Sequence, residues 1–165
     1  MRAVNIRKWE LGVFGAAVIL DQLSKGLVSW SMELGVSIDV LGRFFRLTYI
    51  RNPRAAFGIA IFGGTLHLVF SLIALVLILF ILYKTPLSQR GARIALSLIL
   101  GGAIGNLIDR LRMGEVIDFF DFGIGQDRWR WPVFNGADIA ITVGVFLILF
   151  SYIRDSAVKG QEANS

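Results

Sequence analysis

Four long apolar runs separated by polar segments dominate the pattern of this 165-residue sequence. They cover residues about 9–28, 59–83, 92–108 and 134–153. A helix of about 20 apolar residues crosses the roughly 30 Å hydrocarbon core of a bilayer, and the four runs are close to that length. The pattern therefore predicts an all-α polytopic membrane protein with four transmembrane helices, organised as a single membrane domain over residues 1–165.

Residues 43–57 have a different period from the apolar runs. Phe45, Leu47 and Tyr49 alternate with polar residues, which is typical of a half-buried strand. We therefore expect a small extracytoplasmic β element over residues 43–57, lying on the bilayer surface. Residues 109–133 are predicted to form an outer loop between the third and fourth helices.

Composition supports the membrane class and removes several chemistries. The chain is 55% hydrophobic and its mean hydropathy is +0.67. It has no cysteine, which excludes disulfides, thiolate zinc sites and thiol catalysis, and its only histidine, His67, is assigned no role. The net charge of +5 comes from cations that flank the apolar runs. We therefore expect membrane lipids, and not nucleic acid, as partners.

The polar residues are predicted to converge on one face of the membrane. The basic N-terminus and the short basic loop 84–93 favour a cytoplasmic location for both termini. Four alternating spans then bring the end of the first, the start of the second, the end of the third and the start of the fourth to the outer face. These places hold Asp21 and Lys25, Asn52, residues 106–118 and residues 135–138.

A charged side chain inside a bilayer costs about 2.5–3.5 kcal/mol, so acids at its boundary need an explanation. Four kinds of function remain open on spacing alone. Two neighbouring carboxylates that share one proton suit an aspartyl hydrolase. Asp118 and Asp121 suit a Mg²⁺ enzyme acting on lipid phosphates. A transporter with a carboxylate relay, and a structural membrane protein with polar helix ends, are the other two.

Other positions have structural interpretations. Asp21 and Lys25, spaced i, i+4, are expected to form an ion pair, and Asp109 is expected to pair with Arg110. Asp121 and Asp127 are interpreted as solvated loop acids. Gly101 and Gly105 are interpreted as small residues that allow helix packing. The outer aromatic belt is expected to contain Trp30, Trp129 and Trp131.

Five motifs occur in order along the chain: Asp21-Gln-x-x-Lys25, Thr48-Tyr-x-Arg51-Asn52, Gly101-Gly-Ala-x-Gly105-Asn106-x-x-Asp109-Arg110, Val116-Ile-Asp118-Phe119 and Phe134-Asn135-x-Ala137-Asp138. In this combination the chain, from about residue 9 to residue 153, resembles the lipoprotein signal peptidases (signal peptidase II) of bacteria. The resemblance implies four transmembrane helices, a periplasmic β-cradle and a catalytic pair formed by Asp118 and Asp138.

The resemblance also implies an activity and its setting. The protein would be an aspartic endopeptidase of the bacterial inner membrane, monomeric, with its active site at the periplasmic face and without metal or cofactor. Its substrate would be a diacylglyceryl-modified prolipoprotein, cut just before the lipidated cysteine. The supporting and substrate-binding residues would be Asp21, Lys25, Asn52, Asn106, Asp109, Arg110 and Asn135.

One position departs from the family pattern. Where the family has Asn-x-Gly-Ala-x-Phe, this chain has Arg54 in place of the glycine. A non-glycine residue resists a positive φ and a close approach to substrate, so a strained loop or altered activity is one interpretation. We expect instead that Arg54 faces outward to lipid phosphates. A diverged homologue without peptidase activity remains the alternative.

Overall fold

Four helices and a four-stranded sheet make up the described part of the computed structural model, which covers residues 6–53, 64–124 and 129–162. In chain order the elements are α1 (Lys8–Ser31), β1 (Ser37–Leu41), β2 (Phe45–Asn52), α2 (Gly64–Lys84), α3 (Arg90–Met113), β3 (Val116–Ile124), β4 (Trp129–Arg130) and α4 (Gly136–Glu162).

Three of these helices are long and apolar enough to cross a membrane within the described ranges: α1, α3 and residues Gly136–Arg154 of α4. Helix α2 is also apolar, but its stretch Leu68–Lys84 is shorter than the others. The predicted second span, 59–83, begins among residues 54–63, which lie outside the described residues. The fold is therefore a mostly helical membrane protein with a small sheet.

Helix α3 is the centre of the bundle, since it packs against the other three helices. Its glycines explain how closely these helices approach. A Cβ added to Gly101 would lie 2.7 Å from the Cβ of Ala17, and one added to Gly105 would overlap the carboxylate of Asp21. Small residues at a helix interface permit such contacts. The predicted packing role of Gly101 and Gly105 is confirmed.

The sheet is larger than the β element predicted at residues 43–57. Its strands are antiparallel in the order β1-β2-β3-β4, and β2 and β3 pair from Phe45 opposite Phe122 to Asn52 opposite Val116. The prediction of a loop over residues 109–133 was wrong, because α3 continues to Met113 and β3 and β4 follow. Gly114, at φ 75°, ends α3 in the left-handed conformation that favours glycine.

One face of the sheet contacts the end of α1 and carries a polar cluster. Val28 packs with Tyr49, Ile117 and Phe119 to form a buried core. On the same face of β3, Asp121 is only 5% exposed and accepts hydrogen bonds from Thr48 (2.6 Å) and Arg130 (2.8 Å). The interpretation of Asp121 as a solvated loop acid was therefore wrong.

A buried ion pair joins three helices at the opposite end of the bundle. The guanidinium of Arg93 donates to both carboxylate oxygens of Glu10, at 2.5 and 3.0 Å. It also donates to the carbonyl oxygens of Leu82 (3.0 Å) and Thr85 (2.7 Å) at the end of α2. The starts of α1 and α3 and the end of α2 therefore meet here, away from the sheet.

Candidate active site

The motif from Phe134 to Asp138 forms the start of α4. The side-chain oxygen of Asn135 accepts a hydrogen bond from the N–H of Asp138 (3.0 Å), and Asp138 Oδ2 accepts one from the N–H of Asn135 (3.3 Å). This reciprocal pattern is a capping box, which satisfies two backbone donors at a helix N-terminus. It fixes the Asp138 carboxyl group within the first turn of α4.

Asp118 lies on β3 and is linked to Asp138 through Asn135. The side-chain amide of Asn135, which is fully buried, donates to Asp118 Oδ1 at 2.6 Å, and Asn52 donates to Oδ2 at 2.9 Å. The pKa of Asp118 is raised to about 6: burial is the main cause, the two amide donors oppose the rise, and the negative charge of Asp138 adds to it. One asparagine thus holds both acids.

Lys25 is a buried cation of the site and is only 1% exposed. Its ammonium group lies 2.8 Å from Asp21 Oδ2, 2.8 Å from Asp109 Oδ2 and 2.8 Å from Asn106 Oδ1, so all three of its donors are used. The predicted Asp21–Lys25 pair is confirmed. The predicted Asp109–Arg110 pair was wrong, because adjacent residues of a helix point in different directions.

Asn106 connects Lys25 to the second acid. Its side-chain oxygen accepts from Lys25 and from Asn135 (3.1 Å), which leaves its amide nitrogen to donate to Asp138 Oδ1 at 2.9 Å. Arg110 donates to the backbone carbonyl of Asn106 (3.4 Å) and places a positive charge near Asp118 and Asp138. Each carboxylate oxygen of Asp118 and Asp138 therefore has an N–H donor.

Asp21 and Gln22 join α1 to the neighbouring helices. The N–H of Ala137 donates to Asp21 Oδ1 at 2.8 Å, a contact favoured by the positive end of the α4 dipole. The amide of Gln22 donates to Asp109 Oδ1 and to the carbonyl of Gly105, each at 3.1 Å. Gln22 is not among the predicted site residues, although it lies inside the Asp21-Gln-x-x-Lys25 motif.

A cleft of about 380 Å³ opens at the two acids. Its polar end contains Asp118, Asp138 and Asn52. Its wall follows α4, on which Thr142 lies one turn beyond Asp138 on the same helix face. The other lining residues are mostly apolar: Trp131, Val133, Phe134, Ile139, Ile141 and Val143. The arrangement offers two acids to a polar group and an apolar surface to a lipid-like one.

The nine predicted site residues form one connected polar network: Asp21, Lys25, Asn52, Asn106, Asp109, Arg110, Asp118, Asn135 and Asp138. Asp121 does not join them, because residues three apart on a strand point to opposite faces. The alternative pairing of Asp118 with Asp121 is therefore wrong as a shared metal site. Arg54, Asp127 and the side chain of His67 lie outside the described residues.

Gly102→Ala is expected to lower activity by roughly 100-fold, the effect typical of a displacement of about 1 Å in a catalytic group. A Cβ on Gly102 would overlap the carbonyl oxygen of Ala137 and lie 2.8 Å from Ile141, which forces the start of α4 and Asp138 outward. The measurement is the turnover rate of purified variants. Gly26→Ala is the control, since its Cβ meets nothing within 4 Å. Equal rates for both variants would contradict the prediction.

The fold and the site together define a membrane protein with one buried and one half-buried acid, Asp118 and Asp138, at the end of its helix bundle. A model of the family described as signal peptidase (SPase) II matches residues 13–154, which is most of the chain. The chain belongs to this family, and it is a peptidase. The resemblance stated from the sequence motifs is confirmed.

Individual relatives agree with this assignment. The chain is 45% identical over 150 residues to the lipoprotein signal peptidase of Syntrophus aciditrophicus (strain SB), covering 88% of this chain and 92% of that protein. It is 39% identical over 143 residues to the lipoprotein signal peptidase of Moorella thermoacetica, covering 87% and 91%. A bacterial membrane enzyme solved by the in meso method at 2.3 Å resolution matches with a TM-score of 0.84, at 33% identity and 96% coverage of both chains.

Proposed function

We propose that this peptidase is an aspartic endopeptidase that removes the signal peptide from diacylglyceryl-modified prolipoproteins, cleaving just before the lipidated cysteine. The observation that carries the proposal is the position of Asp118 and Asp138, joined by Asn135 at the polar end of a cleft with an apolar wall. The relatives named as lipoprotein signal peptidases support the class of substrate.

The pair of acids acts on water. Two carboxyl groups that are close together do not both ionise easily, so the pair holds one proton in the working state. The ionised member removes a proton from a water molecule as the water attacks the peptide carbonyl. The protonated member donates its proton to the carbonyl oxygen. When the C–N bond breaks, the member that took the proton from water gives it to the leaving nitrogen, and the other member takes back a hydroxyl proton as the new carboxyl group forms. Asn52, Asn106 and Asn135 keep both carboxyl groups oriented toward the cleft.

The cleft wall on α4 explains why a lipid on the substrate would help cleavage. Ile139 and Val143 are exposed on a helix that is long enough to cross the membrane. Acyl chains attached to the cysteine would lie against this wall and hold the preceding peptide bond at the acids. Binding energy from such remote contacts reduces the entropy lost when the reacting groups are brought together.

The orientation belongs to the same proposal. We infer that α2 also spans the membrane, which brings the number of spans to four. Both termini then lie in the cytoplasm, and the sheet and the acids lie at the periplasmic face. Arg93 joins the starts of α1 and α3 to the end of α2 at the end of the bundle away from the sheet, as alternating spans require. A single chain contains the whole polar network, which supports a monomer as the working unit.

The experiment is cleavage of a synthetic prolipoprotein peptide by the purified chain in detergent. Paired peptides, with and without diacylglycerol on the cysteine, are compared, and mass spectrometry identifies the bond that is cut. The expected result is one cut, before the cysteine, in the lipidated peptide only. Equal cleavage of both peptides, or a cut elsewhere, would refute the proposed specificity.

The pH dependence of kcat/KM is expected to show a loss of activity above an apparent pKa near 6. The pKa of Asp118 is raised to about 6, so the proton that the pair must hold is present below that pH and is lost above it. Asn52→Ala removes a donor that favours ionised Asp118, so the alkaline limb should move to higher pH. Rates measured from pH 4 to 9 test this. A limb that stays in place or moves to lower pH would contradict it.

A further inference from the structure

The sheet has an apolar face that begins at Asp118. Residues paired across antiparallel strands share a face, so Ile38, Leu47 and Phe120 lie on one side of the sheet. Asp118 and Phe122 lie on the same side, because residues two apart on a strand point the same way. The proposed catalytic cleft therefore continues along β3 as an apolar surface.

An aromatic depression of about 350 Å³ lies at the far end of this surface. The rings of Phe44 and Phe122 are 5.7 Å apart, and those of Trp129 and Trp131 are 5.7 Å apart, both edge to face. Within the described part of the chain its lining residues are apolar or aromatic: Phe44, Phe122, Ile124, Trp129, Trp131 and Phe134. Trp131 and Phe134 also line the cleft at the acids, so the two spaces adjoin each other.

The opposite face of the sheet holds this depression in shape. Arg130, between the two tryptophans, donates to Asp121 (2.8 Å) and to the carbonyl of Arg43 (3.2 Å). A Cβ on Gly123 would lie 2.5 Å from the Arg130 guanidinium, so glycine at this position makes room for it. Because Arg130 is bound on one face, Trp129 and Trp131 are presented on the other.

The separation of the depression from the acids fixes the substrate position that reaches it. Phe122 is four residues beyond Asp118, which corresponds to about 13 Å along a strand. An extended peptide has the same rise, so its fourth residue from the cut bond reaches the depression. The sheet lies beyond the ends of α1 and α3, whereas the wall on α4 enters the membrane. The segment over the sheet is therefore the one that follows the lipidated cysteine.

We propose that the aromatic depression is a subsite for an apolar side chain of the substrate, about four residues after the cut bond. The proposal rests on the proposed function, which supplies the substrate and the direction in which it lies. The enzyme would then recognise the amino-acid sequence of its substrate as well as the lipid, since burial of a leucine side chain in an apolar site favours binding.

The test is a set of lipidated peptides that are identical except for one leucine, moved along an otherwise serine-rich segment from the second to the seventh residue after the cut. The wild-type enzyme is expected to show about tenfold higher kcat/KM when the leucine is at the third to fifth position than for the peptide without leucine. Trp129→Ala should reduce this ratio to nearly one. Ile124→Ser, at an exposed edge of the depression, is a second variant with the same expectation.

Trp30→Ala is the matched control, because Trp30 is 86% exposed at the end of α1 and does not line the depression. It should retain the preference of the wild type. Cleavage of every lipidated peptide at the same rate would overturn the subsite and leave the proposed function standing. A loss in Trp129→Ala that is equal for all peptides would show a role in lipid contact or folding, and also overturns the subsite. Failure of the wild type to cleave any lipidated peptide would refute the proposed function itself.

Discussion

Asp118→Asn and Asp138→Asn are each expected to reduce the turnover of a lipidated prolipoprotein peptide by roughly 10³-fold or more. A general acid or base contributes about 10²–10⁴-fold to a rate, and each substitution removes the one ionisable group while keeping the size of the side chain. Asparagine at either position cannot take up the proton of the attacking water. The measurement is the initial rate of cleavage by purified variants at saturating peptide.

The network around the acids gives this experiment its controls. Asp118 accepts hydrogen bonds from two side-chain amides, so the NH₂ group of an asparagine at this position would point at one of these donors. Thermal unfolding must therefore show that the variant remains folded. Asp39→Asn is the matched control, since Asp39 is an exposed acid on β1 that pairs with Arg46 at 2.7 Å. It should keep nearly the full rate. A folded Asp118→Asn or Asp138→Asn with comparable activity would exclude that residue from the catalytic pair.

Lys25→Met is expected to destabilise the protein by about 3–5 kcal/mol, the usual cost of removing one partner from a buried ion pair. Asp21 and Asp109 would then be buried without their shared cation, and Asn106 would lose the donor that fixes its oxygen. This cost is a large fraction of the roughly 5–15 kcal/mol by which a typical domain is stable. Thermal unfolding in one detergent, compared with the wild type, measures the loss.

Lys8→Met makes the same substitution at the exposed start of the same helix and should change the unfolding temperature little. If Lys25→Met unfolds at the same temperature as Lys8→Met, the ammonium group of Lys25 contributes no net stability to the site. Activity gives a second measurement, because Lys25 donates to Asn106, and Asn106 in turn donates to Asp138 and orients its carboxyl group. A stable Lys25→Met with full activity would contradict both parts of the account.

The helices and the site residues were predictable because both leave local signals in the sequence. Apolar runs of membrane-spanning length marked α1, α3 and α4. The i, i+4 spacing of Asp21 and Lys25 indicated their ion pair, which the structure contains. The motif that ends at Asp138 includes the two residues of a capping box, a pattern that also has a local spacing.

The strands and ion pairs that were not predicted depend on contacts between distant parts of the chain. Strand β3 was not predicted because apolar side chains lie on both of its faces, so its sequence has no alternation of apolar and polar residues. Strand β1 has an alternating pattern, but at five residues it is too short to stand out. The partner of Asp109 proved to be Lys25 on another helix, and no local spacing connects the two. The salt bridge of Arg93 with Glu10 was missed for the same reason.

The most direct test of the paired-acid account is to measure cleavage of one lipidated peptide by four proteins in a single preparation, with and without EDTA. The four are the wild type, Asp118→Asn, Asp138→Asn and the double variant. The account predicts that EDTA changes the wild-type rate by less than about twofold, and that the double variant loses no more activity than either single variant, because residues that act as a unit are not additive. Loss of the wild-type rate in EDTA with recovery in Mg²⁺, or a double variant whose loss is the product of the two single losses, would contradict it.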